Sequence, residues 1–113
     1  MTYSRGDIVV VPYPQTIPRV GGKNRPVLVL STNKFNDTHE FGIVSPFTTH
    51  FPDNPEPGFH VVNDWKKVGL IEPSVLVPMV TTIEWADVTQ SVGSLPPFQL
   101  KQFEDGLREV LGL

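Results

Sequence analysis

Twelve prolines and nine glycines are spread along this 113-residue chain rather than gathered in one tract, and they cut it into short runs rich in Val, Ile and Phe. Such punctuation suits an all-β barrel or sandwich, whose strands are short and joined by tight turns. The candidate strands are DIVVVPY (7–13), PVLVLST (26–32), FGIVSPF (41–47), GFHVV (58–62), SVLVPMVTTI (74–83) and DVTQSVG (87–93). Pro12, Pro46 and Pro78 fall inside or at the ends of these runs. Proline donates no ladder hydrogen bond, so each should mark an edge, a bulge or a bend, and together they predict the strong curvature of a small barrel.

The tail reads differently. In PPFQLKQFEDGLREVLGL, Leu100, Phe103, Leu107, Val110 and Leu111 recur at three- and four-residue steps. This is one apolar stripe of a C-terminal helix, with Lys101/Asp105 and Glu104/Arg108 as i,i+4 pairs on the rest of its surface. Pro97 suits the first helical position, and Gly106 costs the helix about 1 kcal/mol relative to Ala. The two long connections are PQTIPRVGGKN (14–24), Gly-rich and basic, and TTHFPDNPEPG (48–58), which carries three prolines. The first is expected to be mobile and able to close over a ligand.

A chain of this length is expected to form one domain, residues 1–113, near the size at which dimerisation commonly adds stability. Cysteine is absent, which removes disulfides, thiol nucleophiles and cysteine-ligated metals together. The N-terminus lacks the apolar run of a signal peptide or membrane span, so the expected location is the cytoplasm. The net charge of −3 hides a segregation. Residues 1–36 hold Arg5, Arg19, Lys23, Arg25 and Lys34 against Asp7 alone, while residues 37–65 contain five acids and no Lys or Arg. An anion site in the first third is compatible with that polarity, as is chance clustering of surface charge.

His39, His50 and His60 have no metal-ligand spacing, and no glycine pattern opens a helix as in nucleotide-binding loops, so no metal or cofactor is expected. Arg25 stands out because it precedes Pro26. A residue before proline is pushed towards extended conformations, and here a Val/Leu strand follows at once, so the guanidinium is anchored at the sheet rim. Its planar fork suits a phosphate and the charge that develops on it during transfer; pairing with Asp7 or Asp87 is the plainer alternative. If the second and third strands are antiparallel neighbours, Thr48 meets Arg25 at one rim, with Lys23, Asn24, Thr49 and His50 close by. Such a group is equipped for metal-free RNA cleavage, in which the substrate's own 2′-OH is the nucleophile. Trp65 beside Lys66 and Lys67 is a minimal single-strand platform, or a Trp covering the barrel end next to solvated lysines.

Five segments in order carry a family resemblance: RGDIVVVPYP at the start, RPVLVLS after the basic loop, IVSPFT closing the third strand, GLIEPSVLVPMVTTI, and VGSLPPFQLKQFEDGLREVLGL at the end. In these the chain resembles the MazF/PemK family of type II toxin–antitoxin toxins. The resemblance implies a mainly β, SH3-like (CcdB/Kid/MazF-type) small barrel with a C-terminal helix, acting as a homodimer. It also implies ribosome-independent cleavage of single-stranded mRNA without metal, leaving 2′,3′-cyclic phosphate and 5′-OH ends. The expected partners are single-stranded RNA and a cognate antitoxin whose acidic C-terminal tail covers the basic groove.

The family's catalytic arginine falls on Arg25 and its catalytic threonine on Thr48. Arg25 would stabilise the pentavalent phosphate and serve as acid in proton transfer, and Thr48 would hydrogen-bond a non-bridging oxygen. Lys23, Asn24, Thr49, His50, Trp65 and Lys66 are the candidates for positioning and reading RNA. Two departures accompany the match: the loop before the Arg-Pro step has no Glu, and Thr81-Thr82-Ile83 stands where many members carry Arg-Thr-Ile. A binding-only relative on the same barrel, either a gyrase poison of the CcdB type or a degenerate RNA-binding protein, is the alternative function.

Overall fold

A computed structural model describes residues 3–13, 23–54 and 56–113. The basic loop expected over 14–24 therefore lies mostly outside the described residues. The elements are β1 (Asp7–Tyr13), β2 (Lys23–Val29), α1 (Asn33–Thr38), β3 (Phe41–Thr48), β4 (His60–Val61), β5 (Val75–Leu76), β6 (Thr81–Glu84), a 3-10 turn (Trp85–Asp87), β7 (Gln90–Ser94) and α2 (Pro97–Leu111). All described strand pairs are antiparallel. The sheet runs β4-β5-β3-β2-β1-β7, with β6 also on β3, and curls into a half-barrel with α2 against it.

β1 and β2 are interior strands of that sheet, and the two-residue period of a strand divides their side chains between two apolar clusters. Ile8 and Leu28 join Phe47, Val62, Leu70, Leu76, Leu95 and, from α2, Phe103 and Leu107. Val9, Val11, Val27 and Val29 join Val44 and Ile83, with Tyr3, Trp85 and Val88 packed around them. Burial on both faces explains why these runs are continuously apolar rather than alternating.

The prolines act as the sequence suggests. Pro46 sits in register with Val27, and there β3 changes partner on its other edge: Phe41–Val44 pair with β6, whereas Phe47 and Thr48 pair with Leu76 and Val75 of β5. The run 74–83, expected as one strand, is split into β5 and β6 by Pro78. The intervening backbone is still satisfied, since Val77 N–H donates to the Pro46 carbonyl at 3.0 Å and the Ser45 hydroxyl donates to the Met79 carbonyl. β2 starts three residues earlier than expected, at Lys23, and ends at Val29, because Thr32 caps α1, a short helix the apolar periodicity did not announce. The Thr32 hydroxyl accepts from Phe35 N–H at 3.2 Å.

α2 begins with Pro97 at its first position, as expected. Its buried side is Gln99, Phe103 and Leu107, while Val110 and Leu111 stay about half exposed, past the end of the core. Gln99 is a clamp: its amide donates to the Asn63 carbonyl at 2.9 Å, and its oxygen accepts Asn63 N–H at 2.9 Å and bonds His60 Nε2 at 2.9 Å. Lys101 and Asp105 pair at 3.2 Å, but the expected Glu104/Arg108 pair does not form. Glu104 instead pairs with Arg5, which also donates to the Leu30 carbonyl. Burial, and then the charge of Arg108, push the Arg5 guanidinium below its ordinary value.

Candidate active site

β2 enters the sheet through three exposed residues, Lys23, Asn24 and Arg25, before the chain becomes buried at Val27. Pro26 confines Arg25 to extended backbone, and Arg25 lies opposite Val11 of β1. β3 leaves the core at the same rim. Phe47 is buried, Thr48 is half-buried, and Thr49 and His50 are exposed. Val27 pairs with Pro46 on antiparallel strands, so two further steps along each bring Arg25 level with Thr48.

A third segment closes the rim. Leu70 is buried and held by its N–H to the Trp65 carbonyl at 3.0 Å, and Ser74 is buried just before β5, whose Val75 pairs with Thr48. Between those anchors, Ile71 and Glu72 stand exposed. The three segments enclose an open cleft of about 190 Å³. Phe47 and Leu70 contribute its apolar lining, and Asn24, Arg25, Thr48, Thr49 and Glu72 its polar groups.

The hydroxyl of Thr48 has a defined role to offer. Its oxygen accepts His50 N–H at 3.1 Å, which leaves the O–H free to donate to a ligand. Neither ion pair between described residues, Arg5–Glu104 or Lys101–Asp105, engages Arg25, and the Asp7 carboxylate accepts Ser4 N–H at 2.9 Å. The fork of Arg25 is thus an available set of donors beside a free hydroxyl. Donors of this kind suit a tetrahedral oxyanion and, more strongly, a more highly charged one. Among the described residues, no three His, Asp or Glu side chains gather as metal ligands, and no helix is long and apolar enough to cross a membrane.

The sequence candidates divide into two groups. Asn24, Arg25, Thr48 and Thr49 come together in the cleft; Lys23 and His50 flank it along the same strands. Trp65 is partly buried and packs against the core cluster of Ile8 and Leu28, with Lys66 exposed beside it, so this pair is not part of the cleft lining. Ile71 and Glu72 line the cleft and were not singled out from the sequence. Their signal was the Glu-Pro step in GLIEPS, the counterpart of Arg-Pro, but its place in the cleft depends on the pairing of β5 with β3.

Solved structures share this architecture along nearly the whole chain. An endoribonuclease from a mycobacterial species superposes with a TM-score of 0.79 at 16% identity, covering 100% of this chain and 94% of that one. The Mycobacterium tuberculosis toxin MazF-mt6 gives 0.77 at 22% identity, over 95% and 97%. A MazE–MazF complex of Deinococcus radiodurans gives 0.79 at 22% identity, over 100% and 99%. No curated protein is similar enough in sequence to match the chain. The model of the PemK-like, MazF-like toxins matches residues 4–111, and with that match across all described strands and both helices the chain belongs to this toxin family of type II toxin–antitoxin systems.

Proposed function

We propose that the protein is a metal-independent, ribosome-independent endoribonuclease that cuts single-stranded mRNA at a short sequence and leaves 2′,3′-cyclic phosphate and 5′-OH ends. The observation that carries this reading is the convergence of Arg25, free of any ion pair among the described residues, with the Thr48 hydroxyl in one cleft. In the reaction, the 2′-oxygen of the substrate bonds to phosphorus while the bond to the 5′-oxygen breaks. The guanidinium of Arg25 supports the charge of the pentavalent state, and Thr48 O–H donates to a non-bridging oxygen. Asn24 and Thr49 in the cleft, with Lys23 and His50 beside it, hold and read the neighbouring nucleotides; Trp65 and Lys66 offer a separate stacking and phosphate contact further along the strand.

The toxin acts as a homodimer, a reading supported by apolar residues left exposed on and after α2, among them Phe98 and Leu113. A cognate antitoxin neutralises it by laying an acidic tail over Lys23 and Arg25, in keeping with the Deinococcus MazE–MazF complex.

The test is incubation of the purified protein with a long single-stranded RNA in EDTA, followed by mapping of fragment ends. Discrete cuts with 5′-OH ends are expected. Arg25→Ala should abolish cutting while the circular dichroism spectrum stays that of the wild type, because Arg25 is exposed and contributes no core packing. Intact RNA with measurable binding would favour a protein that binds without cutting, and wild-type cleavage by R25A would remove Arg25 from the mechanism.

A further inference from the structure

Transesterification by a 2′-OH releases a proton that a group in the cleft must accept as the new bond forms. Arginine cannot do this, since its guanidinium stays protonated, and Thr48 O–H is a donor whose oxygen already accepts from His50 N–H. Of the described residues lining the cleft, Glu72 alone carries a carboxylate.

Its placement is as constrained as that of Arg25. Glu72 precedes Pro73 just as Arg25 precedes Pro26, so both backbones are held extended by the ring that follows. The Glu72 carbonyl accepts the hydroxyl of buried Ser74 at 2.9 Å, and the next residue, Val75, is the strand partner of Thr48. Two residues of opposite charge thus have their backbones confined by the same device on separate segments of one cleft, with the hydroxyl of Thr48 on the third.

We infer that Glu72 is the proton acceptor of the cleavage reaction, an assignment that rests on the endoribonuclease reading above. Its carboxylate takes the proton from the 2′-OH as the O2′–P bond forms. The P–O5′ bond breaks, the departing 5′-oxygen is protonated by water, and Glu72 returns its proton to solvent after the cyclic phosphate leaves.

The experiment compares wild type, Glu72→Gln, Glu72→Asp and His50→Ala on an RNA whose cut site has been mapped. Three substrates are used: the natural RNA, one with a 2′-deoxy nucleotide at the cut, and one whose 5′-oxygen leaving group is replaced by sulfur. E72Q should slow cleavage of the natural RNA by about two orders of magnitude or more. It should bind the 2′-deoxy RNA within about twofold of wild type, since the lost step is chemical. E72D should recover part of the rate. The defect should persist on the sulfur substrate, because a thiolate leaves without a proton but the 2′-OH must still lose one.

Cleavage by E72Q within about threefold of wild type would overturn the assignment. So would a defect that vanishes on the sulfur substrate, one accounted for by weaker binding of the 2′-deoxy RNA, or a larger loss in H50A than in E72Q. A wild-type protein that leaves RNA intact would instead overturn the endoribonuclease reading, and the role of Glu72 with it.

Discussion

Arg25 and Thr48 were legible because each is announced locally, one by an Arg-Pro step ahead of a buried run and the other by the end of a strand bent at Pro46. Glu72 was not, because nothing in GLIEPS says which rim it joins until β5 pairs with β3. Thr49 sits beside Thr48 in the cleft. The two differ in that the Thr48 oxygen accepts the His50 N–H at 3.1 Å. Thr48→Val, close in shape but without the hydroxyl, should lower the cleavage rate by about one to two orders of magnitude, whereas Thr48→Ser should retain most of it. Single-turnover rates on one RNA would decide it; equal rates for T48V and wild type would exclude the hydroxyl from the chemistry.

The prolines and the tail periodicity fixed most element identities, but pairing partners and strand ends depended on contacts distant in sequence. The run 74–83 looked continuous because its apolar composition is continuous; Pro78 and the switch of β3 from β6 to β5 divide it. The short α1 escaped notice because six residues carry too little periodicity to register. Gly106 appeared from sequence to be a weakness of α2. In the structure a Cβ there would lie 3.1 Å from the Gly58 Cα, where the helix crosses the end of the 48–58 loop. Gly106→Ala should therefore fail to give the usual helix gain and should lower stability by about 1 kcal/mol, measured by urea unfolding. A clear stabilisation would show that the loop yields at no cost.

For the whole molecule, the charge segregation read from the sequence reaches the cleft only in part. Of the five cations in residues 1–36, Arg5 is spent on Glu104 and the Leu30 carbonyl, and Lys34 lies on α1, while Arg19 lies outside the described residues. Lys23 and Arg25 are the two whose strand leads into the cleft. The half-barrel could be anticipated from punctuation and apolar runs, but which cations were structural could not, because that depends on where α2 docks. Lys23→Ala should weaken RNA binding by a similar factor for all sequences and reduce the slope of log K against log salt by about 0.7, the share of one single-strand phosphate. Titrations at several salt concentrations would measure it, and an unchanged slope would place Lys23 away from the RNA.

The Arg-Pro and Glu-Pro steps confine the backbones of Arg25 and Glu72 through the chain itself. A centre fastened in this way has few dependants. On the proposed reading, Asn24, Thr49 and Ile71, which share its cleft, are left open to substitution, so a lineage can revise which nucleotides are accepted while the reacting groups stay where they are. Two prolines thereby separate the inheritance of the chemistry from the inheritance of its target.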